Sequence, residues 1–352
     1  MDRRLSAVQV GIVGVGYWGP NLVRTLSDIQ DVQLAAVSDL RPGRLDFISK
    51  RYPRINTTTN FRDIVSNEAI DAVVIATPPQ THHELALAAL RAGKHVLIEK
   101  PLATSVEQAE EIVELAERLN RSVVVGHLFL YAAAVVRARN LLNEGALGTL
   151  YYVSAVRTNV GPPGAIVDAL WDLAPHDISI IHNVMQSEPE DVVAFGCSFT
   201  HKHLAETVFL VLRFGDGRIA HIHVGWLTPN KTRLLRMVCS GGELVYNDME
   251  PVQKLQLYAP GADNRVTQGC TSAALGYSSG GIWSPPLENT EPLRMECLDF
   301  INSIRTGETP VSNGYSGLAV VRVLEKASRS LASGGRSVWQ AMASAELSEV
   351  IP

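Results

Sequence analysis

The sequence predicts an α/β protein: a doubly wound parallel sheet, followed by an α+β domain built mostly on antiparallel strands. Two observations carry this. Over the first ~127 residues, short apolar runs alternate with helical patterns, as repeated strand–helix units do. Beyond them, strand-like runs follow one another directly, joined by glycine-rich turns such as Gly215-Asp216-Gly217 and Gly241-Gly242. A third supports both. The 352 residues are 46% hydrophobic and 19% charged, enough apolar material for two packed cores at roughly 150 residues per domain.

Taken in order, Val8 to Val13 is a continuous apolar run and reads as a strand buried on both faces. A helix is expected over Trp18–Ser27, then strands at Gln33–Ser38 and Asp71–Ala76. The helix from His82 to Arg91 stops at Gly93, and His95–Ile98 is the next strand. Ser105 with Gln108 three residues on forms a capping box for a helix reaching about Leu119. Ser122–Val125 closes the series.

The second half has a different rhythm. Helices are expected at Leu130–Asn143 and Trp171–Met185, with a strand at Leu150–Asn159 between them. Strands are expected at 191–199, 206–214, 218–226, 232–240, 243–247 and 253–258. The stretch 259–291, rich in Gly, Ser, Asn and Pro, reads as an irregular loop, and two helices follow near 292–305 and 314–332. The domains predicted are therefore 1–127, 128–333 and a tail, 334–352.

Composition excludes several classes. Lys plus Arg number 31 and Asp plus Glu 36, a net charge of −5, which argues against nucleic-acid binding through bulk charge. Cys197, Cys239, Cys270 and Cys297 have neither zinc-ribbon nor CxxC spacing and read as thiols of a reducing cytoplasm. No run of about eighteen apolar residues predicts a membrane span. The charged-then-apolar start lacks a signal-peptide cleavage pattern and has a better explanation.

That explanation is Gly14-Val15-Gly16-Tyr17-Trp18-Gly19, a G-x-G-x-x-G between a predicted strand and a predicted helix. The first glycine permits a tight turn, the second lets a pyrophosphate approach the backbone, and the third lets helix and strand pack closely. The helix start then offers unpaired N–H groups to phosphate. Asp39 ends the second strand 25 residues after Gly14, placed to accept hydrogen bonds from an adenosine ribose. That favours NAD over NADP, though Arg41 and Arg44 lie close by. Two further segments end strands on the same side: Ala76-Thr77-Pro78-Pro79-Gln80-Thr81-His82, and Glu99-Lys100-Pro101. Strand C-terminal ends open onto the ligand crevice of such sheets.

GVGYWG, ATPPQTH and IEKPL, in this order and spacing, resemble the glucose–fructose oxidoreductase, inositol dehydrogenase and rhizopine-catabolism family (Gfo/Idh/MocA). The resemblance covers essentially the whole chain; E-K-P is its specific element and the glycine fingerprint is not. It implies a Rossmann domain, then an α/β domain with a large open, mostly antiparallel sheet. It also implies a nicotinamide cofactor, a cyclic polyol or sugar substrate, a homo-oligomer (dimer or tetramer), and Lys100 beside the nicotinamide and the reacting hydroxyl. Gly14, Gly16, Tyr17, Trp18, Gly19, Asp39, Thr77, Pro78, His82, Glu99 and Lys100 are the expected cofactor residues.

Asp172 and His176 lie four apart at a predicted helix start whose Pro175 suits only a first turn. A carboxylate one turn from an imidazole can orient it. The family's Asp/His pattern maps onto these two residues and, with Lys100, makes a catalytic set for hydride transfer. His176 is the first choice of base, since its ordinary pKa is nearest neutrality. Lys100 would stabilise the alkoxide, and the sequence does not separate the roles.

LWDLAPHDISI, VGWLTPNKTR and LVYND are similar to the branch that oxidises the 3-hydroxyl of UDP-linked N-acetylated glucose sugars. Trp226, Lys231 and Arg233 would suit a nucleotide diphosphate, or Lys231 and Arg233 are simply one exposed strand face. Tyr131, Asn159, Trp171 and His176 complete the expected substrate contacts with Lys100. Gly126-His127-Leu128-Phe129-Leu130-Tyr131-Ala132-Ala133 departs from the branch's G-H-x-x-x-Y-N-P, so an aminosugar or cyclitol is the alternative substrate. The Gly161-Pro162-Pro163-Gly164 loop is expected near it. The HxH pairs His201/His203 and His221/His223, on predicted strands, lack completing ligands, and no metal is expected. A non-catalytic dinucleotide-binding regulator is the remaining reading, against which Lys100, Asp172 and His176 weigh.

Overall fold

The computed structural model describes residues 7–162, 167–201, 203–260 and 279–335. The chain divides into two compact units, Met1–Ala132 with Thr290–Glu325, and Ala133–Asn289 with Lys326–Pro352.

The first unit runs β1 (Val8–Val13), α1 (Gly19–Ser27), β2 (Val32–Ser38), α2 (Pro42–Arg51), β3 (Asn56–Thr58), α3 (Arg62–Val65), β4 (Ala72–Ile75), α4 (His82–Arg91), β5 (His95–Ile98), α5 (Val106–Arg118) and β6 (Val123–Val125). Its six strands lie in the order β3-β2-β1-β4-β5-β6, all parallel. The order reverses between β1 and β4, where the C-terminal strand ends open a crevice. The central strands are covered on both faces, which is why they read as unbroken apolar runs. At α5, Ser105 Oγ accepts from the Gln108 N–H (3.3 Å). The Gln108 carbonyl oxygen takes the N–H and hydroxyl of Thr104 rather than closing on Ser105.

The second unit begins with α6 (Ala133–Asn143), β7 (Leu150–Val160) and α7 (Ala169–Met185). The strands β8 (Asp191–Cys197), β9 (Thr207–Arg213), β10 (Ile219–Gly225), β11 (Leu227–Cys239), β12 (Gly242–Asn247), β13 (Leu255–Pro260) and β14 (Ser279–Trp283) follow. With β7 they form a sheet in the order β14-β13-β12-β11-β7-β10-β9-β8, antiparallel except for the parallel β7–β10 pair. The last helices are α8 (Pro292–Thr306) and α9 (Gly314–Ala332).

Three expectations need correction. The first is the domain boundary, since 290–325 belongs to the first unit and not to a continuous 128–333 domain. Leu293, Cys297, Phe300 and Ile301 form one stripe of α8 and join the core of Val10, Ile12 and Leu22. Phe300 is fully buried there, a side chain whose burial stabilises by roughly 1.5–3 kcal/mol. Periodicity shows that such a helix has an apolar face but not which sheet receives it. The second is the helix expected from Leu130. Residues Leu128–Tyr131 form a 3₁₀ turn, with the Leu130 and Ala132 N–H groups bonded three residues back, and α6 starts only after an extended Ala132. The third is α7, which begins at Ala169 with Asp168 as its cap, its carboxylate accepting from the Trp171 N–H (3.0 Å). Pro175 therefore lies inside the helix, and the Trp171 carbonyl loses its helical donor.

Within 259–291, β14 is a strand, and 261–278, including Cys270, lie outside the described residues, as do Pro163 and Gly164 of the expected substrate loop and 336–352 of the tail. Among the described residues, no helix is long and apolar enough to cross a membrane.

Candidate active site

The first unit's crevice is built around the β1–α1 turn. Gly14 holds φ +95°, and its N–H donates to the Ser38 carbonyl (2.7 Å). A Cβ on Gly14 would stand 2.6 Å from the Ala76 carbonyl oxygen, and one on Gly19 2.4 Å from the Gly14 carbonyl oxygen. Both glycines are thus required by packing of the turn itself. Gly16 differs, because the nearest atom to a Cβ there would be Arg44 Nη1 at 3.6 Å. A Cβ on Gly16 would thus be tolerated in ordinary contact with the Arg44 guanidinium, and Gly16 lines the cavity that a pyrophosphate approaching the backbone would use.

Asp39, at the end of β2, is buried. Its carboxylate accepts from the Val15 N–H (2.9 Å), the Arg41 N–H (2.9 Å) and Arg44 Nη1 (3.2 Å). Burial alone would raise its pKa, but the Arg41 and Val15 backbone donors and the Arg44 guanidinium together hold it below the ordinary value. Asp39 is therefore an anion whose acceptor capacity exceeds these three bonds. A cavity of about 700 Å³ joins Gly14, Gly16 and Asp39 to Thr77, Pro78 and Glu99. Tyr17 and Trp18 also line it, Tyr17 almost fully exposed.

Glu99 closes the β5 side. Its carboxylate accepts from the Lys100 N–H (3.2 Å) and from the Trp18 side chain. Burial pushes its pKa up to about 7 against the opposing pull of Lys100. Gly126 on β6's C-terminal side leaves room for it, since a Cβ there would meet Glu99 Oε2 at 2.9 Å. His82 does not reach the cavity. It is fully buried, and its ring nitrogens sit 2.8 Å from the Pro101 carbonyl and 2.9 Å from the Thr77 carbonyl. Burial lowers its pKa. It braces the two crevice loops from behind, where the sequence placed it beside the cofactor.

In the second unit, α7 is fixed to β7 by Arg157 and Asp177, a bidentate pair (2.9 and 2.9 Å) with both side chains buried. This pair was not foreseen; a lone Arg in a strand carries no mark of its partner. It holds the helix that bears Asp172 and His176, both partly buried. Trp226 Nε1 donates to Asp172 Oδ2 (3.2 Å), and Gly161 packs flat on the indole, where a Cβ would meet it at 2.8 Å. Trp226 thus positions a carboxylate instead of offering an aromatic face. Trp171 Nε1 donates to Ser328 Oγ (2.9 Å), and the Asn159 amide to the Val160 carbonyl (2.7 Å).

Two expected substrate contacts are otherwise engaged. The Tyr131 hydroxyl is buried, donates to Asp299 Oδ2 (2.8 Å) and accepts from the Ser312 N–H (3.2 Å), so it ties the two stretches of the first unit together. Arg233 Nη1 is paired with Asp248 Oδ2 (3.1 Å), which Lys254 also neutralises (2.8 Å). Lys231 is exposed. His201 and His203 lie past the end of β8 rather than on a strand, and His223 stacks on Phe209 at 4.2 Å. Among the described residues, no group of three His, Cys, Asp or Glu could hold a metal ion.

A glycine turn lining the cavity, an anionic carboxylate at the end of the second strand and a crevice at the strand reversal define a dinucleotide-binding protein. The model of an oxidoreductase family with an NAD-binding Rossmann fold matches residues 8–127, and that of the GFO/IDH/MocA C-terminal domain matches 135–245. The chain belongs to the Gfo/Idh/MocA oxidoreductase family. It is 25% identical over 341 residues to an inositol 2-dehydrogenase/D-chiro-inositol 3-dehydrogenase of Lactiplantibacillus plantarum, covering 93% of this chain and 92% of that protein. It is 29% identical over 224 residues to inositol 2-dehydrogenase 2 of Saccharopolyspora erythraea, covering 62% of this chain but only 66% of that protein. A solved UDP-N-acetylglucosamine 3-dehydrogenase from Acidithiobacillus ferrooxidans superposes with TM-score 0.82 at 22% identity, covering 94% of this chain and 99% of that one, a likeness of fold.

Proposed function

We propose that the chain is an NAD(H)-dependent dehydrogenase that oxidises a secondary hydroxyl of a sugar or cyclic polyol, or reduces the corresponding ketone. The observation that carries this reading is the wall of one cavity, which runs from Gly14 and Asp39 to Glu99, next to Lys100. The anionic Asp39 favours a ribose 2′-hydroxyl over a 2′-phosphate. The bound nicotinamide supplies the hydride acceptor or donor.

In this reading His176 takes the substrate hydroxyl proton, Asp172 orients the imidazole, and Lys100 stabilises the developing alkoxide. Trp226 supports the arrangement by holding Asp172. The 3-position of a UDP-linked sugar is the first substrate reading, and a cyclitol or aminosugar is the second. A specific observation favours the second. Arg233, the expected diphosphate ligand, is already matched by Asp248, and Ala132-Ala133 replace the branch's Asn-Pro. The inositol dehydrogenases among the relatives agree with it.

In this reading copies of the chain associate through the eight-stranded sheet, on whose surface Tyr152, Phe195, Phe209, Val211 and Ile219 are exposed, a larger apolar surface than single scattered residues make. In this reading the reaction runs in the cytoplasm, where thiols such as Cys197, Cys239 and Cys297 stay reduced. The test is NADH absorbance with a panel of UDP-sugars, inositols and sugar phosphates. Turnover on one class supports the dehydrogenase. Cofactor binding without turnover on any of them favours a dinucleotide-binding regulator.

A further inference from the structure

The corner of the crevice where β2 ends holds more positive than negative charge. One carboxylate, Asp39, and two guanidinium groups, Arg41 and Arg44, line the cavity there. Thr59, Asn60 and Phe61, which follow β3, add no charge. The cavity's other carboxylates, Glu84 and Glu99, come from α4 and the end of β5, across β1 from this corner. A carboxylate standing alone after β2 accepts ribose hydroxyls and repels a 2′-phosphate. Asp39 does not stand alone, since Arg44 Nη1 donates to its Oδ2 (3.2 Å).

Arg44 is held loosely in this place. Its bond to Asp39 is single and longer than the two 2.9 Å bonds that Arg157 makes to Asp177. It is the side chain's only hydrogen bond among the described residues, and 40% of the side chain is exposed. The backbone beneath it is fixed, because Leu45 and Ile48 of α2 are buried in the core of the first unit. Arg44 also sits in the first turn of α2, which holds no acidic residue. A cation there opposes the partial positive charge of the helix start, so a further anion beside it would be stabilised. The same guanidinium lies 3.6 Å from where a Gly16 Cβ would stand. One side chain thus spans Asp39 and Gly16, the two points a dinucleotide has to reach. The exposed Arg41 guanidinium makes no ion pair among the described residues.

We propose that Arg44 sets cofactor choice and that NADP(H) is a second cofactor of this chain. With NAD(H), Asp39 accepts from the ribose hydroxyls. With NADP(H), Arg44 leaves Asp39 and, together with Arg41, takes the 2′-phosphate, which a planar guanidinium can hold by two parallel bonds. NAD(H) remains the tighter ligand, because the buried Asp39 stays ionised beside that phosphate. The proposal rests on the reading that the crevice binds a nicotinamide dinucleotide with its adenosine ribose at the end of β2.

Fluorescence titration of the full chain with NADH and NADPH tests it. NADPH should bind the wild type within about a hundredfold of NADH, since charge-assisted bonds offset the repulsion from Asp39. Arg44→Ala should lower NADPH affinity about 10–100-fold more than NADH affinity, the weight of a hydrogen bond to a charged group. Arg44→Lys keeps the charge without the fork and should fall between the two. Displacement of bound NADH by 2′,5′-ADP and by ADP should show the same shift in Arg44→Ala, which locates it at the adenosine end. NADPH binding weaker than that range in the wild type, or equal losses of NADH and NADPH in Arg44→Ala, overturns the proposal. Failure of the wild type to bind either dinucleotide instead overturns the crevice reading, and the proposal with it.

Discussion

The two units carry their candidate residues in different ways. In the first, the crevice is shaped by backbone, with Gly14 and Gly19 excluding a Cβ by contact with neighbouring carbonyls. In the second, the helix that bears Asp172 and His176 is held by side chains on side chains, with Trp226 on Asp172 and Arg157 on Asp177. A backbone constraint selects a residue type at a fixed spacing and so marks the sequence. A side-chain partnership across the sheet leaves no local mark.

Mutations should sharpen that contrast. The largest effect is expected at the proposed reacting groups, where Lys100→Ala or His176→Asn should lower turnover by about 10²–10⁴-fold while leaving the melting temperature near wild type. Steady-state rates with calorimetric melting check this. Next is Arg157→Ala, which leaves Asp177 charged and buried and should cost about 3–5 kcal/mol in denaturant unfolding. The double change Arg157→Met with Asp177→Leu should recover most of it. If Arg157→Ala were neutral, the second unit would not depend on this pairing.

Gly16→Ala comes third. Its Cβ meets nothing closer than Arg44 Nη1 at 3.6 Å, so folding should be unchanged. The loss should appear as cofactor affinity, about tenfold or 1.4 kcal/mol, because the methyl fills the pyrophosphate's approach. Fluorescence titration with NAD⁺ reads it. Gly19→Ala should instead lower stability.

The smallest effect is in the pH dependence of stability. Glu99 is raised from 4.5 to about 7 in the folded chain. The folded state therefore binds more protons than the unfolded one in that window, and stability falls as pH rises through it. Asp39, held below its ordinary value, acts oppositely, adding stability that is lost as pH falls through its folded pKa. Melting curves across pH should show the alkaline decline, and Glu99→Gln should remove it.

The fold was largely legible, because β1, β4 and β5 are buried runs bounded by turn residues and the capping residue Ser105 announces α5. What escaped was tertiary. Nothing in Pro292–Thr306 says that its stripe packs on the first sheet, and the short β3 and α3 lack a period long enough to read. The tight glycine turn and the place of Asp39 beside it at the end of β2 were legible from their spacing. His82 and Tyr131 were misplaced because a polar side chain near a crevice looks the same in sequence whether it faces ligand or braces backbone.

The proposed function requires Lys100 and His176 to serve one proton-coupled transfer to a nicotinamide. The direct measurement is a double-mutant cycle on NADH formation with the best substrate of the panel, using Lys100→Ala, His176→Asn and the pair. Groups acting as a unit are non-additive, so the double variant should be about as slow as the slower single one. Losses that simply multiply, or singles that turn over like the wild type, would contradict it.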